Sequence, residues 1–335
     1  MNNISMFLNQ QYINTIHSLD KHDKTHGKGM KDCVSHALGE FQNNSVHFNP
    51  KVLERRKLEN YKLICMEITS IQPLRIPLYI LIPNKKKKRK LPTVLALHGH
   101  GYGMKEAIGL NINGEQCKFT GIHNKFAARL VNKGVIVVVP GIIGFGDRRL
   151  DEDMNAEQPL ENSCFEIGSQ LLLMGKTLAG LRVQEIKRVL DYIQSFNMVD
   201  EEKIGSFGFS GGGLVAAFTS ILDERIKATV LSGYLSTFKG SIMSRRHCLD
   251  NYIPGILEIG EMDELIALIA PRPLFIESGK DDKLFPMDQV EISMNKLLKI
   301  YKAYNAETEL EAHYFNGGHE INGEESFSWL IQNLN

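Results

Sequence analysis

The chain has 335 residues, 43% hydrophobic and 23% charged, and its 39 basic and 39 acidic side chains cancel. That hydrophobic share supports a large core, and zero net charge gives no general attraction to nucleic acid or anionic membranes. The five cysteines, Cys33, Cys65, Cys117, Cys164 and Cys248, are scattered without a CxxC or other metal-ligand spacing, so reduced thiols are expected.

The opening "MNNISMFLNQQYINTIHSLD" lacks the charged start and apolar core of a signal peptide, and no run reaches transmembrane length. A soluble, cytoplasmic protein is the expectation. Residues 1–43 read as a polar segment with helical stretches around Ser5–Leu19 and Met30–Phe41, and residues 44–335 as the domain itself. After "FNPKVLERR" come two β-rich runs, Tyr61–Thr69 and Leu74–Ile82, joined by a short turn containing Pro73 and read as an antiparallel pair. The basic run "KKKKRK", Lys85 to Lys90, lies between apolar strands with no aromatic residue interleaved and reads as a solvated loop.

From there strands and helices alternate. "TVLALHG" is a buried strand, "HNKFAARLVNKG" a helix closed by Gly134, and "VIVVVP" another buried strand. In "LRVQEIKRVLDYIQSF", Ile186, Val189, Leu190 and Ile193 recur at helical spacing. The strands "KIGSFGF", "KATVLSGY", "PLFIESG" and "ELEAHYF" follow, with helices between most of them and one at the end. Repeated βα units after an antiparallel opening predict an α/β fold with a mostly parallel, doubly wound, eight-stranded sheet and helices on both faces.

In such sheets ligands bind beyond the carboxyl ends of the strands, and four segments there carry chemistry. Gly208-Phe209-Ser210-Gly211-Gly212 is a G-x-S-x-G between a strand and a helix, where glycines permit the tight turn that exposes a nucleophilic serine. "HGHG", His98 to Gly101, can supply an amide to the oxygen that becomes negative during acyl transfer. We assign His100 N–H and the amide of Gly211, the residue after the nucleophile, as the two donors; the His98 ring is expected to shape the loop. "SGKDDKLFP" offers Asp281 and Asp282, of which Asp282 stands in the D-x-x-F-P arrangement that commonly carries the acid of a triad; Glu277 is a further candidate inside the strand. "NGGHEING" places His319 last in the order Ser…Asp…His.

Beyond these motifs, "LALHGHG", "GFGDRR", "VDEEKIGSFGFSGGG", "LIALIAPRPLFIESGKDDKLFP" and "FNGGHE" make the chain resemble α/β-hydrolases of the dienelactone hydrolase and acetyl xylan esterase-like type, over about residues 45–335. The resemblance implies the α/β-hydrolase fold, with Ser210 as nucleophile, Asp282 as acid and His319 as base. The expected activity is hydrolysis of a small-molecule carboxylic ester, through an acyl-serine intermediate and without a cofactor. Amide, lactone or thioester cleavage uses the same residues.

A metallohydrolase built on His98-x-His100 with Asp282 and His319 is the alternative, and it leaves the G-x-S-x-G turn unexplained. A non-catalytic protein on this fold leaves all four segments unexplained. The long connections at 144–180 and 241–262 are expected to cover the pocket and set specificity. Their mixture of acids with apolar runs points to short acyl groups.

Overall fold

The computed structural model describes residues 3–19, 28–41, 47–84, 90–158 and 161–335. The basic run expected to be a solvated loop lies outside the described residues except for Lys90, which faces Glu201 at 3.5 Å.

Among the described residues nine strands form one sheet: β1 (Lys51–Lys57), β2 (Tyr61–Thr69), β3 (Arg75–Pro83), β4 (Leu91–Leu97), β5 (Ile136–Pro140), β6 (Val199–Phe209), β7 (Ile226–Ser232), β8 (Leu274–Gly279) and β9 (Leu310–Phe315). Their spatial order is β1-β2-β3-β5-β4-β6-β7-β8-β9. The pairs among β1, β2, β3 and β5 are antiparallel, and those from β5 through β4 to β9 are parallel. The strand order reverses about β4, as a doubly wound sheet requires.

The ninth strand, one more than the eight expected, is β1. All seven of its residues are exposed, and five of them are charged. An edge strand with no buried face carries no hydrophobic alternation for a sequence pattern to reveal. Its charges and the irregularity between Val52 and Glu54 also discourage pairing with another chain.

Successive side chains of the central strands feed two separate cores. Leu95 and Leu97 of β4, with Ile136 and Val138 of β5, pack with helices Leu178–Ile193, Gly211–Leu222 and Met287–Ala303. Val94 and Ala96, with Val137 and Val139, pack on the other face with helices Phe126–Val131 and Ser326–Gln332. Burial on both faces explains the unbroken apolar run "VIVVVP".

Helices Asn3–Leu19 and Lys28–Leu38 precede the sheet among the described residues. Val34 and Leu38 of the second are buried in the first of the two cores. The Leu38 carbonyl accepts from Thr177 Oγ1 at 2.7 Å, where Thr177 caps helix Leu178–Ile193. Tyr12 of the first helix donates to Glu261 at 3.1 Å, and the Lys239 ammonium lies 4.7 Å from the centre of the Tyr12 ring. Among the described residues no helix is long and apolar enough to cross a membrane.

Candidate active site

Ser210 stands between the end of β6 and helix Gly211–Leu222 with φ 53° and ψ −120°. A non-glycine residue held there is strained, and its surroundings enforce the turn. A Cβ on Gly208 would lie 2.3 Å from the Gly212 carbonyl oxygen, and one on Gly212 would lie 2.1 Å from the Leu97 carbonyl oxygen. Only glycines let the helix start this close to β4 and β6. The Ser210 amide donates to the Ser232 carbonyl at 2.9 Å, tying the turn to β7.

The His319 ring reaches Ser210 from the loop after β9. Its Nε2 is 2.8 Å from Ser210 Oγ, and its Nδ1 is 2.7 Å from Asp282 Oδ2. With Nδ1–H donating to the carboxylate, Nε2 is left as the acceptor for the serine hydroxyl proton. The other oxygen of Asp282 accepts from the amides of Leu284 and Phe285 at 2.7 and 3.1 Å, so the buried carboxylate is fixed in orientation. The ring is stacked on Phe285, with planes 16° apart, and packs against Phe209. Asp281 instead lies exposed, its amide donating to the Gly317 carbonyl. Glu277 is fully buried and accepts from Ser232, Ser326 and the amides of Asn322 and Gly323. It pins the chain just beyond His319 to the ends of β7 and β8.

The 98–101 loop is built by two histidines. His98 Nδ1 lies 2.9 Å from the Gly99 carbonyl oxygen, and its Nε2 accepts the Ile142 amide at 3.1 Å. Both nitrogens are engaged inside the protein, so His98 shapes the loop and does not pair with His100 around a metal. His123 Nε2 accepts the Gly99 amide at 3.0 Å, and its Nδ1 faces Glu106 at 3.5 Å. Nothing in the sequence singled out His123, which arrives from a connection with no motif. Burial drives His98 down to about 4 and His123 to about 3, so both rings are neutral at pH 7; burial also raises Glu106 to about 7.

With the Gly99 amide taken, His100 is the next residue along the loop. Its ring sits against Gly211, 3.1 Å from where a Gly211 Cβ would be, and edge-on to Phe145. Burial lowers the His100 pKa, an effect the Asp250 carboxylate opposes.

A cavity of about 540 Å³ opens beside Ser210. Asn162, Cys164 and Phe165 line it from the 144–180 connection, and residues 246–249 with Asn251 and Tyr252 line it from the 241–262 connection. The fully buried Arg182 holds these two connections together. It bonds to Asp250, to the Ile143 carbonyl at 2.8 Å and to Cys164 Sγ at 3.2 Å. Nearby, Arg148 of "GFGDRR" makes a two-pronged pair with Glu185 at 2.6 and 2.8 Å. Buried pairs of this kind hold only when both partners remain.

Such an arrangement can remove a serine proton and deliver the resulting nucleophile into a pocket. Known proteins agree with the architecture. A solved "putative acetyl xylan esterase" from Bacteroides fragilis NCTC 9343 matches with a TM-score of 0.70 at 17% identity, over 86% of this chain and 74% of that one. A glucuronoyl esterase from Solibacter usitatus matches with a TM-score of 0.66 at 13% identity, over 92% and 91%. Sequence similarity is stronger to a protein of Bacillus subtilis (strain 168) named "Putative hydrolase YtaP", 31% identical over 237 residues, which are 69% of this chain and 74% of the relative. The family described as "Abhydrolase family" matches residues 20–315. The chain belongs to this family of α/β-hydrolases.

Proposed function

We propose that the protein is a serine hydrolase that cleaves small-molecule carboxylic esters of short acyl groups. The observation that carries this reading is the continuous hydrogen-bonded chain from Ser210 through His319 to Asp282. His319 takes the hydroxyl proton as Ser210 Oγ attacks the ester carbonyl, and Asp282 stabilises the imidazolium. The amides of Gly211 and His100 receive the oxyanion, with the N-terminus of helix Gly211–Leu222 adding a favourable dipole. His319 then protonates the departing alcohol. Water, activated by the same ring, releases the acid from the acyl-serine.

The cavity walls mix polar side chains (Asn162, Arg246, His247, Asn251) with Phe165, Leu249 and Leu284, which suits a compact, partly polar ester. A substrate screen starts with acetyl xylan and glucuronoyl esters, the substrates in the names of two structural neighbours.

The test combines covalent labelling with turnover. A fluorophosphonate should label Ser210. Ser210→Ala should abolish labelling and lower kcat by about 10⁴-fold or more. Along a p-nitrophenyl series, kcat/KM should peak between acetyl and butyryl. Labelling at another serine refutes the nucleophile, and a maximum at ten carbons or more refutes the short acyl group.

A further inference from the structure

Cys164, Cys248 and His100 come from three separate connections and meet on the cavity wall beside Ser210. Their ligating atoms all lie within 4.8 Å of one another. We propose that they form a binding site for a thiophilic divalent cation, Zn²⁺ being the representative ion, and that its occupancy inhibits the hydrolase.

Four observations carry this. The donor set is two thiols and one imidazole, the combination that selects zinc over magnesium or calcium. Tetrahedral zinc, with bonds of about 2.0–2.3 Å, holds such donors roughly 3.5–3.8 Å apart. Side-chain rotations of about 1 Å would therefore close the three around an ion. Second, His100 Nε2 is buried without a hydrogen-bond partner, a state that costs free energy unless something else occupies it. Third, the charge balances. Two thiolates and Asp250 set against Arg182 leave two negative charges, which a divalent cation neutralises as the two thiol protons pass to solvent. Fourth, all three residues line the cavity beside Ser210, so an ion has a route to them and a water can complete its coordination.

Inhibition follows from position. The His100 ring lies against Gly211, whose amide is assigned to the oxyanion. An ion held by that ring stands on the wall of the cavity that opens beside Ser210 and obstructs an ester entering it. This half of the proposal rests on the hydrolase reading; the binding half does not.

The experiment titrates the reduced, chelator-stripped full chain with Co²⁺ and then Zn²⁺. One equivalent of Co²⁺ should produce thiolate-to-cobalt charge transfer and the visible bands of a tetrahedral site, both erased by one equivalent of Zn²⁺. Cys164→Ser and Cys248→Ser should each weaken Zn²⁺ binding by at least about 10- to 100-fold, since even outer partners of a ligand contribute that much. In the unmutated protein Zn²⁺ should shield the partly exposed Cys248, but not Cys33, Cys65 or Cys117, from iodoacetamide, a readout that needs no variant. Absence of the cobalt bands with all five thiols free overturns the site, as does persistence of the bands in both variants. Turnover of p-nitrophenyl acetate should fall as Zn²⁺ fills the site and return with a chelator. Zinc bound at one equivalent with unchanged turnover overturns the inhibitory role alone. A protein inactive even without zinc would count against the hydrolase reading, and the spectra would still decide the site.

Discussion

Asp281 and Asp282 are chemically identical neighbours whose surroundings separate them. Asp282 is buried, accepts two amides and meets His319, whereas Asp281 is exposed. Asp282→Asn should therefore lower kcat by about 10³- to 10⁴-fold, because an amide favours the wrong imidazole tautomer. Asp281→Asn should cost less than about tenfold on the same scale. Steady-state kinetics on one ester decides between them, and the reverse ranking would move the acid by one residue. His98 makes a prediction about stability. Its folded pKa of about 4 lies below its ordinary 6.5, so the unfolded chain binds the proton more readily. The stability this group contributes is complete above about pH 6.5 and is lost as pH falls toward 4, a change of about 3 kcal/mol. His98→Gln keeps an acceptor for the Ile142 amide and does not titrate. The stability gap between native protein and variant should thus shrink between pH 7 and pH 4.5 in urea unfolding. A constant gap would show that His98 is not buried as a neutral ring.

At the scale of elements, Gly180 sets helix propensity against packing. Replacing a helical glycine by alanine ordinarily gains up to about 1 kcal/mol. Here the new methyl would lie 2.0 Å from the Leu38 carbonyl oxygen, where helix Lys28–Leu38 abuts helix Leu178–Ile193. Overpacking of this kind costs about 1–3 kcal/mol, so Gly180→Ala should lower the unfolding midpoint, and a raised midpoint would refute the close approach. The sequence made helix Leu178–Ile193 and the buried strands legible because period and burial coincide in them. β1 was hidden because nothing in it is buried. The serine, aspartate and histidine were legible because each follows a recognisable strand in a fixed chain order. His123 and the meeting of Cys164 with Cys248 were not, since those contacts arise only when distant connections fold over the same strand ends.

For the whole molecule, the sheet brings together groups separated by 109 residues at Ser210 and His319, and by 68 at Arg182 and Asp250. Forming the site therefore closes long loops, and these contacts must outweigh the entropy that closure costs. The contact between Tyr12 and Glu261 spans further still, 249 residues. Chains leave the ribosome at about 5–20 residues per second, so Tyr12 emerges about 12–50 seconds before the carboxylate that holds it. Until then that hydrogen bond cannot form, and Ile4, Met6, Phe7 and Leu8 are exposed even in the folded protein. Removing the Tyr12 hydroxyl, as in Tyr12→Phe, would therefore loosen a helix whose side-chain tether lies more than two hundred residues away along the chain.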